Sequence, residues 1–190
     1  MIRDLVMRNR SYRRFDQKVR ISEKIIMEWI ALARFSSSGR NMQPLKYVIS
    51  TGEEVNAEIF QHLAWAGYLT SWPGPEEGER PAAYVVVLLD TSLAENYYCD
   101  DGIAMQSILL GATEEGFGGC IIGSVNKVKV ARILNLPDHL KILWVMALGK
   151  PVEEVVLEDV ADGEIRYWRD EHRVHHVPKR KLEEIIWKSI

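Results

Sequence analysis

Hydrophobic residues recur along the chain at two spacings, and the switches between them mark out the elements. Ile25, Ile26, Trp29, Ile30 and Ala33 fall at helical spacing behind Ser22, a residue type that caps helix N-termini. Tyr47-Val48-Ile49-Ser50 reads as a strand. Val55, Ile59, Leu63 and Ala66 return to one face of a helix, predicting helix over Glu53–Ala66. Tyr84–Leu89 (YVVVLL) is apolar throughout, as in a strand covered on both faces. Asp100–Gly116 mixes small and apolar residues (Ile103, Ala104, Ser107, Leu110, Gly111), predicting a helix packed closely on several sides. Gly116-Phe117-Gly118-Gly119 ends it, and Cys120-Ile121-Ile122 opens a strand-like run. Asn126 can cap a helix reaching to about Asn135, and Pro137 stops the following stretch. Ile142–Leu148 (ILWVMAL) is a further buried strand, closed by Gly149-Lys150-Pro151.

Ser71–Pro81 (SWPGPEEGERP) carries three prolines and two glycines and is a loop. After Pro151 the composition shifts: Val152–Asp162 is acidic, and Arg166–Lys181 is rich in Arg, His and Lys. That predicts an extended arm with a short final helix around Leu182–Trp187. Alternating strands and helices with no internal repeat predict an α+β or α/β sandwich. Residues 1–190 form one domain in this reading, with 152–190 as its C-terminal arm.

Composition narrows the function classes. At 190 residues, with 47% hydrophobic and 27% charged, the chain is long enough to bury a core and too apolar for disorder. A net charge of −3 supplies no global positive field for nucleic acid or an anionic membrane. Cys99 and Cys120 form no CxxC and read as reduced thiols of a cytosolic protein. The start, MIRDLVMRNRSYRRF, is charged from its third residue, unlike a secretory signal, and no apolar run is long enough to span a bilayer. The expectation is a soluble, cytoplasmic protein with neither a nucleic-acid nor a membrane partner.

Four stretches carry candidate chemistry. RNRSYRRF (Arg8–Phe15) packs four arginines and a serine into eight residues, types that bind phosphate through charge-assisted, often bidentate hydrogen bonds. A solvated basic turn would have the same composition. PKRKL (Pro178–Leu182) is a second basic cluster, and together the two could converge on one dianion. GFGGCIIG (Gly116–Gly123) is neither a dinucleotide fingerprint nor a P-loop, because its glycines end a helix and feed a strand. It admits two readings: a helix end with glycine in the left-handed conformation, or backbone N–H groups that approach a planar ligand closely. FSSSGRNMQPLKY (Phe35–Tyr47) crowds donors and acceptors into a loop beside a strand. His172, His175 and His176 match no zinc spacing and read as histidines on a surface arm. Neither GxSxG nor HExxH occurs, so hydrolase readings have no support. No catalytic nucleophile and no metal ligand is assigned.

The order RSYRRF, SSGRNMQP, DDGIAMQSILLGATEEGFGGCIIG, ALGKP, VPKRKL resembles the nitroreductase family of flavoproteins, over nearly the whole chain. The resemblance implies a nitroreductase-like α+β sandwich with a central, mostly antiparallel sheet flanked by helices and an extended C-terminal arm. It implies a homodimer with FMN at the subunit interface, NAD(P)H as reductant, and a small-molecule acceptor such as a nitroaromatic or quinone reduced by two-electron, ping-pong transfer. By position, Arg10 and Ser11 would take the phosphate and ribityl end, and Arg13 would stand near the flavin pyrimidine. Ser37, Ser38, Gly39, Asn41 and Gln43 would reach across from the facing subunit. Ile121, Ile122 and Gly123 would bring backbone groups to the reactive edge of the ring. Lys179, with Arg180 or Lys181, would complete the phosphate site. Ser37 stands where proline is common, Leu45 where tryptophan is frequent, and Asn9 where a basic residue is usual. Two alternatives stay open: a flavin- or anion-binding protein without turnover, and a member with other redox chemistry, such as dehalogenation or flavin fragmentation.

Overall fold

The computed structural model describes residues 1–190. Its centre is a four-stranded antiparallel sheet in the order β1-β2-β4-β3, built from β1 (Leu45–Ser50), β2 (Ala83–Asp90), β3 (Gly118–Ile122) and β4 (Leu140–Gly149). Side chains alternate across a strand. Val85 and Val87 therefore join Met146 and Leu148 on one face, while Tyr84, Val86 and Leu88 join Val145 and Ala147 on the other. Helices α2 (Glu23–Phe35) and α4 (Asp100–Glu114) cover the first face through Ile26, Trp29, Ile108 and Ala112. On the second face, α3 (Glu53–Phe60) and α5 (Lys127–Ile133) contribute Ile59 and Val130. β2 is buried at every position, which accounts for the unbroken apolar run YVVVLL.

Local signals set most element boundaries. Ser22 accepts from the Ile25 N–H at 3.3 Å and Asn126 from the Lys129 N–H at 3.2 Å, as N-caps do. Residues 71–81 contain no helix or strand. The predicted helix Glu53–Ala66 is shorter than its periodicity suggests and ends at Phe60. Beyond it Leu63 bridges Val125, and the Ala64 N–H donates to Ser124 O at 2.9 Å. Tertiary pairing there overrides helical spacing.

The C-terminal segment is more than extended chain. β5 (Val155–Asp159), β6 (Trp168–Arg169) and β7 (His175–Lys179) form a three-stranded sheet in the order β5-β7-β6, with β5 and β7 parallel, and α6 (Leu182–Ile185) follows. Pro178 is tolerated in the middle strand because β6 pairs only with His175 and His176 and stops before it. The surface-histidine expectation is corrected here. His172 is exposed, but His175 is 1% exposed, and the side chain of His176 is mostly covered between Glu158 and Asp170. Parallel pairing over the intervening turn turns one face of β7 inward, so composition alone misplaces these side chains. No helix is long and apolar enough to cross a membrane.

Candidate functional site

The segment after α1 (Ile2–Arg8) lies along β3: Ser11 bridges Gly119, and the Tyr12 N–H donates to Gly119 O at 3.0 Å. This docking gives the four arginines of RNRSYRRF different duties. Arg8 pairs with Asp4 on the surface at 3.0 Å. Arg14 is buried in a two-pronged ion pair with Glu79, both contacts at 2.6 Å, and burial behind a bidentate pair leaves it a structural role. Glu153, also buried, accepts from the backbone N–H groups of Arg13 and Arg14 and from Arg169 Nη2 at 3.0 Å. Two carboxylates thus pin the motif, and Arg10 and Arg13 are left facing a cavity.

That cavity, about 330 Å³, is lined by Asn9, Arg10, Ser11, Arg13, Gln106 and Ile121, and from the C-terminal sheet by Val155, Tyr167, His175, Val177 and Lys179. His175, Val177 and Lys179 alternate along β7, so the two-residue period brings all three to one wall. Three permanent cations face it and no carboxylate does. Arg10 donates Nη2 to Val6 O at 2.7 Å, whereas its buried Nε has no partner. Burial lowers the Arg10 pKa, the mark of a cation that a bound anion would stabilise. Arg13 donates through Nη1 to Ser11 O at 3.1 Å, and the same atom lies 3.2 Å from His175 Nε2. Its guanidinium sits 5.0 Å from the Tyr167 ring centroid. Burial first, then Arg13, drives the His175 pKa down to about 4, so the imidazole is neutral.

Arg13, Ile121 and Tyr167 also border an adjoining cavity of about 220 Å³, with Ala64–Gly67, Cys120, Gly123 and Ser124. Ile122 does belong to this wall, although its buried side chain also packs into the core. The glycine-rich stretch serves both of its readings. Gly116 has φ +75, the left-handed conformation expected where α4 ends. At Gly123 a Cβ would lie 2.6 Å from the Trp144 ring, so bare backbone is what lets this cavity wall pass Trp144.

The Phe35–Tyr47 loop stands apart. Ser37, Ser38 and Gln43 line a separate cavity of about 310 Å³ that shares no residue with the cationic one. Part of the loop's polarity is satisfied within the chain. Ser38 Oγ donates to Asp100 at 2.6 Å, the Gly39 N–H donates to Asp100 at 2.8 Å, and Gln43 Nε2 donates to Asn41 Oδ1 at 3.1 Å. Arg40, Asn41 and Gln43 have φ of 54, 56 and 51, a region non-glycine residues enter rarely; buried Asp100 holds the neighbouring Ser38 and Gly39, and the Gln43 N–H donates to Ser38 Oγ at 2.9 Å. Of the C-terminal trio, Lys179 reaches the cationic cavity; Arg180 lies 3.5 Å from Glu184, and Lys181 sits at the start of α6.

The sequence profile of the Nitroreductase family matches residues 6–77 and 80–150. The chain is a member of the nitroreductase family. Members are FMN-dependent oxidoreductases that draw on NAD(P)H, and this chain is one of them. Its fold is similar to that of a nitroreductase family protein from Clostridium novyi NT, with 25% identity, TM-score 0.66, and 80% of this chain and 86% of that one covered. It is similar to the NADPH:FMN oxidoreductase of Vibrio harveyi, solved with NAD+, at 26% identity and TM-score 0.62 over 78% of this chain and 68% of that one. A nitroreductase family protein of Streptococcus pneumoniae TIGR4 shares the fold over 100% of both chains, at 17% identity and TM-score 0.69.

The profile match ends at Lys150, yet Val155, Tyr167, His175, Val177 and Lys179 in the cavity wall come from beyond it. Sequence reasoning assigned Lys179 and missed the others, along with Asn9 and Gln106. Gln106 had a signal, as a lone amide among the small and apolar residues of α4. For His175 it was the alternation His-x-Val-x-Lys in HHVPK, the two-residue period of a strand with one face on a site.

Proposed function

We propose that this FMN-dependent nitroreductase works as a homodimer of single-domain subunits and passes two electrons at a time, in a ping-pong cycle, from NAD(P)H to a small acceptor of the nitroaromatic or quinone class. The observation that carries the reading is the convergence of Arg10, Arg13 and Lys179 on one cavity wall, with the buried Arg10 Nε lacking a partner. A phosphate dianion needs charge-assisted donors, and a buried anion without them is prohibitively costly. Arg10, Ser11 and Lys179 would hold the phosphate, and Asn9 and Gln106 offer neutral amides to the ribityl hydroxyls. Arg13, where the two cavities adjoin, would present its charge to the polar edge of the ring. Bound FMN supplies the hydride and electron chemistry, and the chain's residues bind, orient and charge-balance it. The adjoining cavity beside Gly67, Tyr167 and Cys120–Ser124 would receive the nicotinamide and the acceptor in turn.

The serine-rich loop supports the dimer. Within one chain its cavity is separate from the cationic one, so a second chain is what would bring Ser37, Ser38 and Gln43 to a bound ring. Purified protein should release FMN on denaturation, sediment at twice the 21.8 kDa chain mass, and oxidise NAD(P)H when a quinone or nitroaromatic is added. Release of FAD, or no flavin uptake after reconstitution with FMN, overturns the reading. Tight FMN binding without NAD(P)H oxidation would make the chain a flavin-binding protein instead.

A further inference from the structure

His175 is 1% exposed in the wall of the cationic cavity, and its chemistry there is constrained from several sides. Arg13 Nη1 is 3.2 Å from His175 Nε2, and a guanidinium has no lone pair with which to accept. Nε2 is therefore the acceptor, and the proton of the neutral ring sits on Nδ1. The other Nη1 hydrogen goes to Ser11 O at 3.1 Å. With Nη1 saturated, Arg13 has Nε and Nη2 to offer a ligand. Tyr167 fixes the arrangement, its ring centroid 5.0 Å from the Arg13 guanidinium and 5.2 Å from the His175 ring. Burial together with Arg13, Arg169 and His176 keeps a second positive charge off His175, so the contact with Arg13 stays attractive.

Arg13 is also the one cation of the three that borders both cavities, whereas Arg10 and Lys179 border only the first. A flavin whose phosphate lies against Arg10 and Lys179 would have its ring system toward Arg13. We propose that His175 is a positioning residue for the cofactor, acting through Arg13: by accepting from Nη1 it holds the guanidinium with its free donors toward the ring of bound flavin. The inference rests on the FMN reading above.

The test is titration of apoprotein with FMN and with riboflavin, followed by flavin fluorescence, for the unmodified chain, His175→Leu, His175→Gln, Arg13→Ala and the His175→Leu/Arg13→Ala pair. His175→Leu should weaken both flavins by the same factor, about tenfold, because Arg13 addresses the ring rather than the phosphate. His175→Gln, whose side-chain oxygen can accept from Arg13, should restore most of that loss. In the Arg13→Ala background His175→Leu should add nothing, since the two act as one unit. Circular dichroism separates loss of contact from loss of fold. If leucine prevents folding, His175→Asn replaces it, placing its oxygen near the Nδ1 rather than the Nε2 position. Unchanged affinities in a folded His175→Leu protein, a glutamine no better than leucine, or additive losses with Arg13→Ala would each overturn the proposal. Failure of the unmodified chain to bind either flavin would instead sink the FMN reading itself.

Discussion

The two sheets are held together by opposite means. The four-stranded sheet buries apolar side chains on both faces, and Val85, Val86 and Val87 are fully covered. Around the three-stranded sheet, the strands and the loops packed on them bury charge and imidazole instead. Glu153 holds Arg169 and two backbone N–H groups, and Glu79 receives Arg14 and, at 3.3 Å, Arg173. His176 stacks on Trp168 at 4.0 Å between Glu158 and Asp170. Apolar burial is nondirectional and supplies the driving force for folding. Buried ion pairs repay little of their desolvation, but they fix orientation, and breaking one is costly. Stability therefore resides mainly in the first sheet. The second, with the motif pinned to it, orients the cavity.

The largest expected effect comes from breaking that orientation. Glu153→Ala would leave Arg169 and the N–H groups of Arg13 and Arg14 unmet in a buried site, lowering stability by about 3–5 kcal/mol in urea unfolding. FMN affinity should fall with it, because the Arg13 backbone loses its anchor. A Glu153→Ala protein that binds FMN normally would mean that the carboxylate does not hold the motif.

Leu88→Ala opens a void in the other sheet, where Leu88 is 1% exposed, and should lower stability by about 3 kcal/mol. FMN affinity measured well below its unfolding midpoint should stay within about twofold of normal, as expected for distant, independent sites. A large affinity loss would erase the division of labour between the sheets.

Lys179 and Arg180 sharpen the comparison within one strand end. Lys179→Ala removes a cation from the cavity and should weaken FMN about tenfold, while Arg180→Ala, which loses only a contact to Glu184, should change it less than about twofold. Equal losses would place the phosphate elsewhere.

The smallest effect is in pH dependence, where adjacent histidines act with opposite sign. Hydrogen bonding to Glu158 raises the His176 pKa, so its contribution is complete below about 6.5 and is lost as pH rises through the raised value. His175 is depressed to about 4, so its contribution is complete above the ordinary value of about 6.5 and is lost as pH falls toward 4. Protection of β7 amides from hydrogen exchange, taken relative to the base-catalysed intrinsic rate at each pH, should be greatest near the shared reference value and fall on either side. Protection that changed in only one direction would show that one histidine lacks the environment assigned to it.

The same contrast explains what could be read from sequence. Strands such as Tyr84–Leu89 and caps such as Ser22 and Asn126 are local signals, and the structure follows them. RSYRRF and VPKRKL could be matched to a phosphate site, and Arg10, Ser11, Arg13 and Lys179 do meet in one cavity. What could not be read depended on long-range pairing. The parallel match of β5 with β7 joins two short, charged strands across fifteen intervening residues, Val160–Val174, and no local periodicity announces it. Burial of His175 follows from that pairing, as does the stop of α3 at Phe60 from the Leu63–Val125 bridge. The different roles of Arg10 and Arg14, in turn, depend on Glu79, far away in the proline-rich loop.

The central claim is that the cationic wall is a phosphate site completed by the C-terminal sheet. Comparison of FMN with riboflavin, which lacks the phosphate, in the unmodified chain and in Arg10→Ala/Lys179→Ala tests it most directly. The unmodified chain should prefer FMN by about a hundredfold or more, given about 1.5–3 kcal/mol for each charged contact, and the double variant should bind the two flavins almost equally. A preference that survives both substitutions, or equal weakening of both flavins, would contradict the assignment.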